Sequence, residues 1–519
     1  MTTKSLSGTQ ARRWAALGMT AAVLVPLLAA CNSKNENDPN NRHTLRIGTM
    51  YGSSQDESYF RQQYTDLFEF SHPNIDIEIV PAIDYTETQF DQTPDKPQPD
   101  PVEKVKEIMT GDNPVDVMIL DNPAILGELV QDNLLKQLDP LLKEDKIDTN
   151  DYVSAVIDGI KDQGNGQLYA LAPTYSPSAL FYNKKAFSKA GVEVPTGSPT
   201  WDDVFNMAKR LKTGTGKDTQ FGFAFNPYGY GNGYYDVVNY AAPLQLKMYD
   251  DKAEKMTVNT PQWQNVWTTI TDLYKNHVLP SNEDLQVDQP AATDKDVYNP
   301  YLNQPFYNGK LAMVIGSYSM INEIETYNKN YQKFKGMEPL DWDVMPVPTF
   351  AENPGVSSYI YLSSLSAINA KAQNPDDAWE FVKFMNGKDW GKLRSRSSYD
   401  MPTLKEFIKV KDGMSYNIDA FTQVKPFLSS DSFKQQELQQ DRPNLSYIDQ
   451  LAQVEYNKVI QNQKSVKEAL AEFETKGNEL LQRIKLNPKG QLDTSGILDD
   501  VYGGGGAVGG GGIIKPLID

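Results

Sequence analysis

Leu45-Arg46-Ile47-Gly48, Ile75-Asp76-Ile77-Glu78-Ile79-Val80 and Val115-Asp116-Val117-Met118-Ile119-Leu120 decide the fold class. Each is a short, apolar-rich run with strand character. Between the first two, Glu57 to Phe70 carries Phe60, Tyr64, Leu67 and Phe68 on one helical stripe, and Pro73-Asn74 ends it. Val102 to Met109 reads as a short helix ahead of the third run. Strand, helix, strand, helix, strand predicts an α/β lobe with a largely parallel sheet.

Further along, helix starts are well marked. Thr200 caps a helix through Leu211, with Asp202 and Asp203 in its first turn. Thr260-Pro261 begins another, with Trp263, Val266, Trp267 and Ile270 in line. Pro375-Asp376-Asp377 opens a third, and about Ser465 to Ile484 forms the last long one. Phe221, Phe223 and Phe225 alternate as a strand with one buried face. Residues 91–101, with four prolines, read as an extended surface loop, and residues 501–519 as a flexible glycine-rich tail.

Composition narrows the function. The 519 residues hold 68 acidic and 50 basic side chains, a net charge of −18, with no basic block for nucleic acid. A hydrophobic content of 39% is too ordinary for disorder, and a mean hydropathy of −0.54 excludes a polytopic membrane protein. One cysteine excludes an internal disulfide framework, and three scattered histidines supply no metal signature. No catalytic or phosphate-binding motif stands out, so neither cofactor nor metal is expected. Carboxylates are too numerous for a glycosidase pair to be excluded by counting.

The N-terminus reads as an address. Lys4, Arg12 and Arg13 precede an apolar run from Trp14 to Ala30, which ends Leu28-Ala29-Ala30-Cys31. This resembles a bacterial lipobox, which implies a signal peptide over 1–30 and lipidation of Cys31 (palmitate among the chains), with 31–43 as a polar tether. The alternative is a short transmembrane anchor, for which the run is shorter than the ~20 residues usually needed. Loss of 1–30 takes the net charge to −21.

Residues 167–202 contain Pro173-Thr174-Tyr175, Tyr182-Asn183-Lys184, Phe187, Ala190-Gly191, Pro195 and Thr200-Trp201-Asp202. This pattern resembles the hinge region of the family 1 extracellular solute-binding proteins, the maltose-binding-protein-like group. Phe68 to Ile75, Gly111 to Val117, Asn308 to Tyr318 and Asn374 to Phe384 are similar to further family motifs, in the same order. The resemblance spans about residues 44–405. It implies a bilobal α/β fold of the type II periplasmic-binding-protein kind, with two lobes joined by a hinge. Lobe 1 is expected over 44–172 and 338–372, and lobe 2 over 173–337 and 373–500. It also implies a monomeric, non-enzymatic receptor on the outer face of the cell membrane, delivering an oligosaccharide to an ABC permease. Two rivals stand beside it: a secreted glycan-active lipoprotein enzyme, and a sensory subunit of the same fold.

A saccharide needs flat aromatic platforms and planar polar groups. Ligands in open α/β sheets lie beyond the carboxyl ends of strands. That selects Tyr51 after the first strand, Asp121 and Asn122 after the third, Tyr175 at the crossover, and Tyr318, Tyr359 and Tyr361 after later segments. For Asp121 the competing role is a helix cap ahead of Pro123. The Gly/Tyr-rich loop beyond Phe225 adds Tyr228, Tyr230 and Tyr235. Trp263, Trp267 and Trp379 read as core. Arg394 and Arg396 read as a solvated face, with a carboxylate-bearing sugar as the alternative partner.

Overall fold

The computed structural model describes residues 42–53, 55–86, 99–228, 233–285, 299–397, 399–429 and 432–498. Its strands are β1 (His43–Gly52), β2 (Ile75–Asp84), β3 (Val117–Leu120), β4 (Ala170–Leu171), β5 (Thr174–Asn183), β6 (Phe221–Ala224), β7 (Leu311–Ser317), β8 (Trp342–Pro346), β9 (Val356–Ser357), β10 (Ile360–Leu362), β11 (Leu365–Ile368), β12 (Met401–Pro402) and β13 (Lys425–Pro426). They make two large sheets, one per lobe.

The first sheet has the order β2-β1-β3-β11-β4. β1 lies parallel to both β2 and β3, as their alternation predicts. β11 then enters antiparallel between β3 and β4, so the sheet is mixed rather than parallel throughout. The helix Pro101–Thr110 buries Val102, Val105 and Met109, and Asp100 caps it by accepting from the Val102 and Glu103 amides. The stripe from Glu57 is helical throughout but contains a π turn at Arg61–Thr65, between Glu57–Phe60 and Asp66–Ser71.

The second sheet follows β10-β5-β7-β6, with β8 and β12 also paired to β5. All four residues of β6 are buried, not one face only. Gly222 explains this: an added Cβ would lie 2.0 Å from the Ala208 carbonyl oxygen, so the helix Trp201–Leu211 packs directly on the strand. Thr200 and Asp203 form a reciprocal capping box at that helix. The C-terminal helices Ser446–Ile460 and Val466–Leu486 pack on Pro261–Lys275, where Trp267 meets Tyr456 at 5.4 Å and Phe473 at 6.3 Å.

Two segments sit differently from the boundaries expected from sequence. Trp342–Pro346, placed with lobe 1, is β8 of the second sheet, in register with β5. The helix Pro375–Met385, placed with lobe 2, packs on the first sheet. Its anchor is the fully buried Asp116 carboxylate, which accepts from the amides of Gln373 (2.7 Å), Asn374 (2.9 Å) and Arg46 (3.0 Å). Phe381 meets Phe68 edge-on at 5.1 Å on the same side.

The chain therefore crosses between sheets at Ala172-Pro173, at Ser363-Ser364, and between the helix Lys388–Arg394 and β12. A later segment also touches both lobes. β13 pairs with β9 and presses the Pro426 ring against Gly159, and Lys425 reaches Asp162 at 2.7 Å. The helix Ser432–Asp441 then lies against Ala124–Gln131.

Candidate functional site

Because β1, β2 and β3 are parallel, their carboxyl ends open on one edge of the first sheet. β1 ends at Tyr51-Gly52, and Gly52 is in register with Asp84 of β2. Asp121 follows β3. A cavity of about 500 Å³ opens at this edge. Its aromatic walls are Tyr51, Tyr59, Phe60, Tyr64 and Tyr85. The Tyr51 and Tyr85 rings are 5.7 Å apart with planes 2° from parallel, a flat platform suited to a sugar face. Asp84 is held in place by the Thr86 amide at 2.7 Å and the Thr86 hydroxyl at 2.6 Å.

Next to it, at the crossings, lies a second cavity of about 230 Å³. Tyr64 and Asp121 border both cavities. The crossing segments add Thr174, Ser364, Arg394 and Asp400 to its lining. The Tyr64 hydroxyl lies 2.6 Å from the Ser364 hydroxyl. Ser364 has φ +58°, a left-handed conformation that costs a non-glycine residue about 1–3 kcal/mol. In that conformation its amide donates to Asp121. Asp121 remains reachable by solvent at its outer edge while protein surrounds it elsewhere. Desolvation raises its pKa above the usual carboxylate range, and the Ser364 amide offsets part of the rise. Burial likewise raises the Tyr64 phenol.

Arg394 is half-buried, not a solvated face. Its guanidinium lies over the Trp390 ring at 4.5 Å and donates to the Gln63 carbonyl. Its Nε is buried without a hydrogen-bond partner among the described residues. Desolvation holds its pKa below the usual value. Asp400 accepts from the Ser176 hydroxyl across the same floor. Arg396 is exposed.

Of the residues selected from sequence, Tyr51 and Asp121 come together at these cavities. Asp121 does not cap the following helix, whose N-cap is Pro123; Asn122 accepts from the Ala124 amide at 3.1 Å in the turn ahead of it. Tyr175 is 1% exposed and donates to the Phe421 carbonyl at 3.3 Å. Tyr318 is half-buried against Phe421, 5.4 Å between rings. The Tyr359 hydroxyl is buried without a partner among the described residues. Tyr228, Tyr235 and Tyr361 are exposed on the other lobe and border neither cavity. Tyr230 and Cys31 lie outside the described residues, as do residues 91–98 of the proline-rich loop and the tail. Among the described residues no group of His, Cys, Asp or Glu could hold a metal ion, and no helix is long and apolar enough to cross a membrane.

Sequence reasoning missed Tyr64, Tyr85, Ser364 and Asp400. Tyr64 was hidden in an apolar stripe, where helical spacing assigns it to the core, and it lies within a π turn that leaves no signature in spacing. Ser364 and Asp400 are polar residues in loops between strands, and only the topology brings them to Asp121.

Residues 51–392 match the family model of the bacterial extracellular solute-binding proteins. A putative binding protein of Brucella abortus is 24% identical over 267 residues, covering 50% of this chain and 57% of that protein. The chain thus spans little more than half the length of the first curated relatives it matches. The sn-glycerol-3-phosphate-binding periplasmic protein UgpB of Shigella flexneri is 22% identical over 392 residues, 71% of this chain and 81% of that one. Among solved structures, the sugar-binding protein MalE of Xanthomonas citri aligns with a TM-score of 0.51 at 17% identity, covering 86% of this chain and 100% of that chain. That last likeness is one of fold: two α/β lobes joined by a hinge.

Proposed function

This chain belongs to the bacterial extracellular solute-binding protein family, and from that premise we propose that it is the receptor of an ABC importer for a carbohydrate, an oligosaccharide. One observation carries the reading. Side chains from lobe 1 and from the crossing segments converge on adjoining cavities, where Tyr51 and Tyr85 offer ring faces and Asp121, Ser364 and Arg394 offer directed polar groups. The mechanism is capture without turnover. Ligand settles on the lobe 1 edge, the crossings bend, and lobe 2 covers it. The equilibrium shifts only as far as the closed form binds better than the open one. We assign that cover to exposed aromatic groups of lobe 2, Tyr361 among them. The covered form then docks on the permease as a monomer, held near the membrane by lipid on Cys31.

Thermal unfolding of the full chain in detergent tests this, with mono- and oligosaccharides added singly. A ligand at ~100 times its Kd adds about 2.7 kcal/mol and raises the Tm. A selective rise with the sugar recovered intact supports the receptor. Cleavage of the sugar would mean an enzyme, and no response to any glycan would remove the carbohydrate assignment.

A further inference from the structure

The cavity beyond β1 has a one-sided charge. Among the described residues Asp56, Glu57, Asp84 and Asp121 line it, and no Lys, Arg or His does. Glu57 is matched by Arg61 at 2.8 Å, outside the lining. Asp56 takes the Ser53 hydroxyl at 2.5 Å. Asp84 and Asp121 differ from these in being fixed at strand ends, on either side of the strand that ends in Tyr51. Each is oriented by backbone amides, of Thr86 and Ser364, and among the described residues no cation pairs with either. In the adjoining cavity Arg394 is the one cationic group among the described lining residues, and Asp400 shares its floor. Arg394 therefore leaves the joint site with an excess of carboxylates.

Two further facts shape what such a site accepts. Ring faces carry negative quadrupole potential and attract cations. A cleft with low-dielectric walls and carboxylates of one sign focuses that attraction and repels anions. A neutral sugar would satisfy carboxylate oxygens through hydroxyls. An ammonium donates to them as well and adds the attraction between opposite full charges, which a hydroxyl lacks.

Resting on the receptor reading above, we propose that the ligand carries a positive charge, as an amino-sugar oligomer does, and that Asp84 and Asp121 are the specificity-determining residues. The sugar ring lies on the Tyr51 and Tyr85 faces, and an ammonium reaches one or both carboxylates. Anionic solutes, such as phosphate esters, are excluded by the same charge.

Titration calorimetry on the full chain in detergent tests this with four probes: a short glucosamine oligomer, its N-acetylated counterpart, a neutral gluco-oligosaccharide and sn-glycerol-3-phosphate. N-acetylation removes the charge and keeps the ring. The expected result is that the glucosamine oligomer binds about tenfold more tightly than its acetylated counterpart. That advantage shrinks as salt rises, and glycerol phosphate gives no heat. Asp84→Asn and Asp121→Asn each reduce the ratio of the two dissociation constants. If neither variant folds, the salt dependence of the unaltered chain decides. Equal or tighter binding of an uncharged oligomer overturns the charge proposal and leaves the sugar receptor standing. Binding of glycerol phosphate alone overturns both the charge proposal and the sugar assignment. Silence from all four probes does the same.

Discussion

The hydroxyls of Tyr64 and Ser364 lie 2.6 Å apart although 300 residues separate them in the chain. One belongs to a lobe 1 helix and the other to a crossing segment, so this pair ties the aromatic wall of the cavity to a crossing between the two sheets. Tyr64→Phe removes the bond and keeps the ring. A net hydrogen bond is worth about 0.5–1.5 kcal/mol, so ligand affinity should fall roughly two- to tenfold while the fold persists. Calorimetry beside a circular dichroism melt checks both halves of that expectation.

Arg394 holds its place by its planar group, which lies on Trp390 and reaches the Gln63 carbonyl. Lysine keeps the charge and loses the plane and the fork of donors. Arg394→Lys should therefore weaken ligand binding more than it lowers Tm. Equal affinity for the two forms would show that the guanidinium geometry is not used.

Asp116 is a stability residue. Replacing it with alanine leaves the Gln373, Asn374 and Arg46 amides without their acceptor inside the fold. Each buried unmet donor costs about 1–3 kcal/mol. Asp116→Ala should lower the unfolding free energy by about 3 kcal/mol or more, read from urea denaturation. Asp116→Asn, which keeps one acceptor oxygen, should lose less.

Asp236 makes stability depend on pH. It is 4% exposed and accepts from the Tyr274 hydroxyl. Burial raises its pKa from 3.8 to about 6, and the Tyr274 bond offsets part of the rise. The folded chain thus holds this proton more tightly than the unfolded chain. The stability it contributes is complete below pH 3.8 and is lost as pH rises through about 6. At neutral pH the loss approaches roughly 3 kcal/mol. Asp449, beside Tyr234, is also raised to about 6 and adds to the same trend. Asp236→Asn should flatten the slope of unfolding free energy between pH 4 and 6 without abolishing it.

How much of this could be read from sequence follows from range. β1 to β3 and the capped helices were legible because alternation, stripes and caps are local. Thr200, Ser465 and their partners three residues on act within one turn, and the capping boxes stand where the sequence puts them. β11 was not legible as an antiparallel insert, because Leu365–Ile368 is a short apolar run that fits any sheet position. Lobe boundaries failed at Trp342 and Pro375 for the same reason: partner choice is set by residues more than a hundred positions away. At the site, Tyr51 and Asp121 follow from the rule about strand ends. Ser364 and Arg394 follow from nothing local, since a left-handed serine and a ring-stacked arginine are tertiary facts.

The strand order β2-β1-β3-β11-β4 sets a timetable for the newborn chain. β3 and β4 are made early, yet neither touches the other, because β11 belongs between them. Until Ile368 has been synthesised, the first sheet lacks its central seam and both flanking strands present open edges. The second sheet waits longer: β5, β6 and β7 are made by Ser317, but β12 is not complete until Pro402, and the helices that pack on Pro261–Lys275 run to Leu486. The strand set of lobe 1 is therefore complete before that of lobe 2. Such long-range closure is slow by nature, because loop entropy is spent before the contacts return it. Nascent chains halted before Leu365 should be digested by protease through residues 43–171, and chains halted just past Met385 should resist.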